Sequence, residues 1–210
     1  MNPILTIGIS GLSGAGKTFL VRELQSRGGH SVVCLSMDDY YLPRHKQQVD
    51  ENGYVNYDLP GALNLQQFVH DLRLLKAGHT VLVKKYHFEL DAAPETVEII
   101  EPAPVVLADG LFVFSEPDCF SLLDVRVFVE SSTDTGLSRR LKRDELERGI
   151  DAGKSMYQWM HHVIPAYERY ILPYRNQCQY CIPNAEDKPM EIQSLWEYIA
   201  AKTGLRTIPS

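Results

Sequence analysis

The chain has 210 residues, 44% of them hydrophobic and 23% charged, with a net charge of 21 − 27 = −6. That length and make-up suit one soluble globular domain with a single core, and the acidic balance argues against a nucleic-acid partner. No apolar run nears the ~20 residues of a membrane span, and the opening Met1-Asn2-Pro3-Ile4 lacks the basic start of a signal peptide, so a cytoplasmic protein without membrane contact is expected.

The first predicted element is a strand over Ile4–Ile9, apolar on both faces as in a covered parallel sheet. Residues Gly11 to Thr18 follow as G-L-S-G-A-G-K-T, and a helical stretch runs from Thr18 to Arg27. Strand, G-x-x-x-x-G-K-[ST] and helix in this order define a P-loop. Its backbone, from Gly11 through Ser13, Gly14, Ala15 and Gly16, is expected to turn N–H groups onto a phosphate. The helix N-terminus adds a partial positive charge, Lys17 can reach the β- and γ-phosphates, and the Thr18 hydroxyl can meet Mg²⁺. Mg-ATP is thus the expected ligand.

A second strand, Ser31–Ser36, ends in Ser36-Met37-Asp38-Asp39-Tyr40-Tyr41. Ligands of open α/β sheets bind at the carboxyl ends of strands, so a carboxylate there can take a proton from an acceptor hydroxyl or help hold a metal. Asp38 is the candidate; the alternative is that Asp38 or Asp39 caps a turn. Asn56-Tyr57-Asp58-Leu59-Pro60 is a second acidic turn, where Asp58 either organises the bend or binds ribose. A helix is predicted over Leu65–Lys76, with Asn64 as N-cap and Gly78 as stop. Val81–Tyr86 and Thr96–Ile100 read as a hairpin around Asp91–Pro94, a flap over roughly 80–101 that would stand off the sheet edge. A strand over Pro104–Ala108 presents Asp109, a candidate Mg²⁺ ligand.

After a fourth strand, Val125–Glu130, comes a helix over Thr133–Arg148 with a dense charge run from Ser138 to Gly149. Such a run is either a solvated face, with Glu145 and Arg148 pairing, or a lid over about 133–155 that closes basic residues onto phosphate. Positions 140, 143 and 147 share one face, two of them arginine. Further helices are predicted over Ser155–Ile171 and Glu191–Lys202. His161-His162 point about 100° apart and make a poor metal site, with one ring exposed. Cys178 and Cys181 have no second pair to complete a zinc site and read as thiols on a short buried strand; four cysteines without framework spacing fit a reducing compartment. Alternating β and α elements give an α/β fold, a doubly wound parallel sheet of the P-loop kinase type with a hairpin flap and a helical lid, as one domain over 1–210.

Taken together, the P-loop, S-M-D-D-Y-Y, N-Y-D-L-P, Y-H-F, V-V-L-A-D-G-L, L-S-R-R-L-K-R-D-E-L-E-R-G and P-A-Y-E-R-Y-I-L-P-Y resemble the uridine kinase (uridine–cytidine kinase) family over nearly the whole chain. The resemblance implies a cytosolic, Mg-ATP-dependent kinase of a nucleoside 5′-hydroxyl, working in nucleoside salvage as a homo-oligomer. It puts Asp38 on the catalytic base, Asp58 on the ribose ligand, and Tyr86 and Phe88 around the base. Arg140 and Gln158 fall on acceptor contacts, Arg143 and Arg148 on lid arginines near the phosphates, and Asp187 near adenine. Four positions depart from the family pattern: Asp91 stands for a His facing the pyrimidine, Ala93 for an Arg, Asp109 for a Glu, and Ile150 for an Arg. A carboxylate at 91 would repel the O4 of uracil and favour an amino group, as on cytosine or a carboxamide. The first half also resembles nicotinamide riboside kinases, through Asn52-Gly53-Tyr54, Tyr57-Asp58 and Ala62-Leu63-Asn64. Such a kinase, or a nucleotide-binding regulator with little turnover, therefore stays open. A GTPase does not fit, since no Asn-Lys-x-Asp segment occurs.

Overall fold

The computed structural model describes residues 3–87, 96–185 and 190–206. Strand β1 (Leu5–Gly11) is followed by α1 (Lys17–Gly28), β2 (Val32–Ser36), α2 (Leu65–Lys76) and the hairpin strands β3 (Val81–Lys84) and β4 (Val97–Ile100). Then come β5 (Val105–Asp109), α3 (Pro117–Leu122), β6 (Val125–Glu130), α4 (Thr133–Arg148), α5 (Ala152–Gln158) and α6 (Ile164–Ala166), and finally β7 (Tyr180–Pro183) and α7 (Gln193–Thr203). The central sheet has the order β2-β5-β1-β6-β7, and its neighbours pair in parallel.

Alternation along β5 explains why helices cover both faces. Val105 and Leu107 enter one core, with Ile7, Ile9, Val127, Leu20, Leu24 and Trp196, while Val106 and Ala108 enter the other, with Leu35, Phe68, Leu72 and Phe114. The hairpin forms its own two-stranded antiparallel sheet, with Leu82 opposite Ile99 and Val83 opposite Glu98. Val81, Val83 and Ile100 bury its inner face, and Leu82, Val97 and Ile99 lie outward.

The helix ends follow local chemistry. Asn64 Oδ1 accepts from the Gln67 backbone N at 3.2 Å to start α2, and Ser132 Oγ accepts from Thr135 N at 3.1 Å to start α4. The helix predicted from Ser155 starts earlier, at Ala152, because Asp151 Oδ1 caps it by accepting from Lys154 N at 3.0 Å. It continues through two π-helical turns, Trp159–Val163 and Tyr167–Ile171, on either side of Pro165. A wider turn there accommodates the hydrogen bond that proline cannot donate.

The thiols do not share a buried strand: Cys181 lies on β7 but is exposed, and Cys178 precedes it, half-buried, with its thiol donating to Tyr174 O at 3.3 Å. His161 is exposed and His162 buried, as neighbours on a helix should be. Among the described residues no helix is long and apolar enough to cross a membrane.

Candidate active site

The carboxyl ends of β1, β2 and β5 meet at one edge of the sheet. There Asp109 sits opposite Ile9 in the β1–β5 register and opposite Ser36 in the β2–β5 register. The P-loop leaves β1 at Gly11 and tightens through Gly14 and Gly16, at φ +77° and +102°, a backbone region closed to most side chains. Space is equally restrictive. A Cβ on Gly14 would stand 2.4 Å from Gly136 O of α4. Asn184 braces the loop from the far side, donating from Nδ2 to Ala15 O at 2.7 Å. Lys17 Nζ donates to Gly11 O at 3.1 Å and to Leu12 O at 3.3 Å. Loss of hydration pulls the Lys17 pKa down, against the pull of Asp109 and Asp38.

Asp38 stands on a single 3-10 turn, Met37–Tyr40, directly after β2. The cap of that turn is Ser36, whose Oγ accepts from Asp38 N at 3.3 Å, so the Asp38 carboxylate is not used as a cap and opens into the cleft. Crowding by protein raises its pKa by dehydration, opposed by Lys17, Arg143 and Arg148. Asp109 is pushed up to about 7 by dehydration and by Asp38, with Lys17 opposing. Its Oδ1 is buried without a hydrogen-bond partner. Two crowded carboxylates, one with an orphaned oxygen, fit a cation. Among the described residues no three His, Cys, Asp or Glu converge as ligands. A Mg²⁺ here would therefore draw on the Thr18 hydroxyl, Asp38 and Asp109 and take its other ligands from phosphate and water, as this ion commonly does.

Across the cleft, the turn at 56–58 is organised by Asn56, whose Oδ1 accepts from Asp58 N at 2.9 Å. The Asp58 carboxylate is thereby released to face Arg140, with 3.9 Å between Oδ1 and Nη1, although the residue is only 6% exposed. Arg140 Nη1 also donates to Ser13 Oγ at 3.3 Å, so one guanidinium touches both the P-loop and the opposite wall. Gln158 is buried and lines the same cleft. Tyr41 packs between Tyr57 and Tyr86, at ring-centre distances of 5.7 and 5.5 Å. Tyr86 reaches the cleft through Tyr41 rather than lining it.

Helix α4 holds a group that the charge run did not single out. Asp144 is 0% exposed and lies 3.2 Å from Arg140 Nε, 3.3 Å from Arg148 Nη1 and 3.9 Å from Arg143 Nε. Ser155 Oγ of α5 donates to its Oδ2 at 2.5 Å. One carboxylate therefore gathers three arginines and ties α4 to α5. Arg148 bonds to Asp144, and Glu147 is exposed, so the working face reads 140, 143, 144 and 148 rather than 140, 143 and 147. Burial and the other two arginines lower the Arg143 pKa, which marks it as a cation under-supplied with counter-charge.

These residues surround a cleft of about 440 Å³ that brings together Ser13, Gly14, Lys17, Thr18, Asp38, Asp58, Asp109, Arg140, Arg143, Arg148 and Gln158. Arg44, Tyr54, Ile150 and Lys154 also line it. Sequence reasoning did not assign the first, second or last of these; only the Asn52-Gly53-Tyr54 segment carried a signal. Asp50 draws that segment in by accepting from Tyr54 N at 2.8 Å and Tyr157 OH at 3.0 Å. Phe88, Asp91 and Asp187 lie outside the described residues.

A phosphate-binding loop at the end of a parallel sheet, a strand-end acid and arginines of one helix lining the same cleft define a P-loop phosphotransferase. The chain belongs to the phosphoribulokinase/uridine kinase family, whose model matches residues 6–191. It is similar to a uridine kinase of Leuconostoc citreum, at 32% identity over 194 residues covering 91% of this chain and 92% of the relative. It also resembles a uridine kinase of Halobacterium salinarum, at 29% identity over 205 residues covering 98% and 91%. Its fold matches phosphoribulokinase from Rhodobacter spheroides with a TM-score of 0.62 at 14% identity, over 86% of this chain and 70% of that one. The protein is an ATP-dependent kinase of the α/β P-loop type.

Proposed function

We propose that the protein transfers the γ-phosphoryl group of ATP to the 5′-hydroxyl of a ribonucleoside, in the manner of a uridine–cytidine kinase. The observation that carries this reading is the placement of Asp38, open to the cleft between the P-loop and the Asp58–Arg140 pair. Asp38 takes the proton of the acceptor hydroxyl as its oxygen bonds to the γ-phosphorus, and the bond to the β-bridging oxygen breaks to release ADP. Asp58 accepts hydrogen bonds from the ribose hydroxyls, and Arg140 and Gln158 hold the acceptor. Lys17, Arg143 and Arg148 neutralise charge on the transferring group. Mg²⁺, held by Thr18, Asp38 and Asp109, would supply further charge neutralisation at the phosphates. The whole chain serves as one catalytic domain, with 80–101 as flap and 133–155 as a lid that excludes water. Cytoplasmic nucleoside salvage, in a homo-oligomer, belongs to the same reading.

The tyrosines at the acceptor end give nicotinamide riboside a place beside uridine and cytidine. Tyr41, Tyr54 and Tyr57 line the cleft, and aromatic faces attract a cationic ring. The test is ADP formation with a panel of nucleosides, vitamins and sugars, comparing wild type with Lys17→Ala. Phosphorus NMR then identifies the product. A 5′-monophosphate formed by the wild type alone supports the proposal. Turnover with water only, or with a non-nucleoside acceptor only, overturns it.

A further inference from the structure

Asp39 neighbours Asp38 but points elsewhere. Its side chain is 10% exposed, and its Oδ2 lies 2.7 Å from Lys85 Nζ. Its Oδ1 accepts from Tyr86 N at 3.3 Å. Lys85 Nζ also donates to Glu98 Oε2 at 2.9 Å, and Lys85 N donates to Thr96 O at 2.9 Å. One ammonium thus joins the turn carrying Asp38 to residues on both arms of the hairpin. The two carboxylates raise the Lys85 pKa against a dehydration that lowers it, so the ammonium stays charged at neutral pH.

The sheet itself does not make this connection. Among the described residues β3 and β4 pair with each other, outside the five-stranded sheet. The hairpin is seated by apolar contacts of Val81, Val83 and Ile100, which are non-directional and set no register against the catalytic turn. Directional contacts are needed for that, and the ion pairs at Lys85 together with the Tyr86 amide provide them. The residue whose amide is gripped, Tyr86, is also the one whose ring meets Tyr41 at 5.5 Å on the cleft wall.

We propose that Asp39, Lys85 and Glu98 form a clasp that fixes the hairpin root against the catalytic turn, so that Asp39 and Lys85 are positioning residues for the acceptor and not for ATP. This rests on the reading above that the tyrosine-lined end takes the acceptor.

Lys85→Met is the cleanest perturbation. It keeps the apolar stem, and Lys85 is partly exposed and does not line the cleft. The acceptor KM should rise about three- to tenfold, the range for losing a half-exposed charged hydrogen bond, while kcat and the ATP KM stay within twofold. Lys85→Arg should restore most of the acceptor KM. Asp39→Ala combined with Lys85→Met should be no worse than the poorer single variant, because both break one clasp. Hydrogen exchange at 81–87 and 96–100 should quicken in Lys85→Met and not in Lys85→Arg. An unchanged acceptor KM, or equal rises in both KM values, overturns the proposal. If no acceptor is phosphorylated at all, the functional reading fails, and hydrogen exchange still decides the clasp: unaltered exchange in Lys85→Met refutes it.

Discussion

Replacing Asp144 with alanine should destabilise the protein out of proportion to the atoms removed. The carboxylate is fully buried and has three guanidinium groups within 4 Å and a serine hydroxyl at 2.5 Å. Its loss removes a shared counter-charge from three arginines, leaving Asp58 at 3.9 Å from Arg140, and guanidinium groups cannot shed their protons. Breaking a buried ion pair by removing one partner costs about 3–5 kcal/mol. Part of that is relieved here, because Arg143 and Arg148 border the open cleft and can turn toward water. A loss of about 3 kcal/mol is therefore expected, a large share of the roughly 5–15 kcal/mol that holds a domain together. In urea unfolding, with a slope of about 2–3 kcal/mol/M, the midpoint should fall by about 1–1.5 M. Ser155→Ala, which removes one hydrogen bond to a charged acceptor, should lower it by about half as much. Pyrophosphate should recover more stability in Asp144→Ala than in wild type, since an anion that pairs with the freed arginines binds only the folded state. A midpoint shift below about 0.3 M at unchanged slope would mean that solvent already satisfies the arginines and that Asp144 is no hub.

Lys17→Ala should abolish phosphoryl transfer while leaving the far-UV circular dichroism spectrum and the urea midpoint near wild type; a variant that still turns over near the wild-type rate would move the active site elsewhere. Asp38→Asn keeps the shape but cannot accept a proton, so kcat should fall about 10²–10⁴-fold with little change in the KM for ATP, and a fall of less than about tenfold removes Asp38 as the base. Asp109 binds its proton more tightly folded than unfolded, since its pKa is raised from 3.8 to about 7. Its contribution is then full below pH 3.8 and lost as pH rises through 7. Asp109→Asn should accordingly raise the Tm of the metal-free protein at pH 8 and leave it unchanged near pH 4, whereas an equal gain at both would show that the carboxyl does not titrate this way.

What the sequence revealed and what it hid divide along physical lines. The P-loop, α2 and α4 were readable to the residue or nearly so, because their ends are written in local chemistry: glycines at positive φ, the Asn64 side chain on Gln67 N, and Gly149 closing α4. Asp38 and Asp109 could be placed because strand ends in a parallel sheet converge whatever the side chains. The π-turns around Pro165 were not readable, since hydrophobic periodicity cannot separate a wide turn from an ordinary one. The clasp and the arginine hub are contacts between distant or ambiguous charges. Lys85 meets Asp39 across 46 positions, and nothing in the spacing announces it. Asp144 did leave a trace, lying four residues from both Arg140 and Arg148, but a helix dense in charge offers many such pairs and does not say which one is buried.

The close approach of Gly14 to Gly136 sets α4 against the P-loop near its first turn, so any tilt about that contact grows along the helix. Twelve residues separate Gly136 from Arg148, an arm of about 18 Å at the rise of an α-helix, whereas Arg140 lies only about 6 Å out. A tilt of about 3° at that contact carries the far arginine through about 1 Å and the near one through about a third of that. The two ends of α4 thus differ in how far such a tilt would carry them, and Arg140, which also donates to Ser13 Oγ, is at the near end. Grafting this helix onto another P-loop would need both glycines to travel together, since a Cβ on Gly14 would stand 2.4 Å from Gly136 O and one on Gly136 would stand 3.0 Å from Ser13 O.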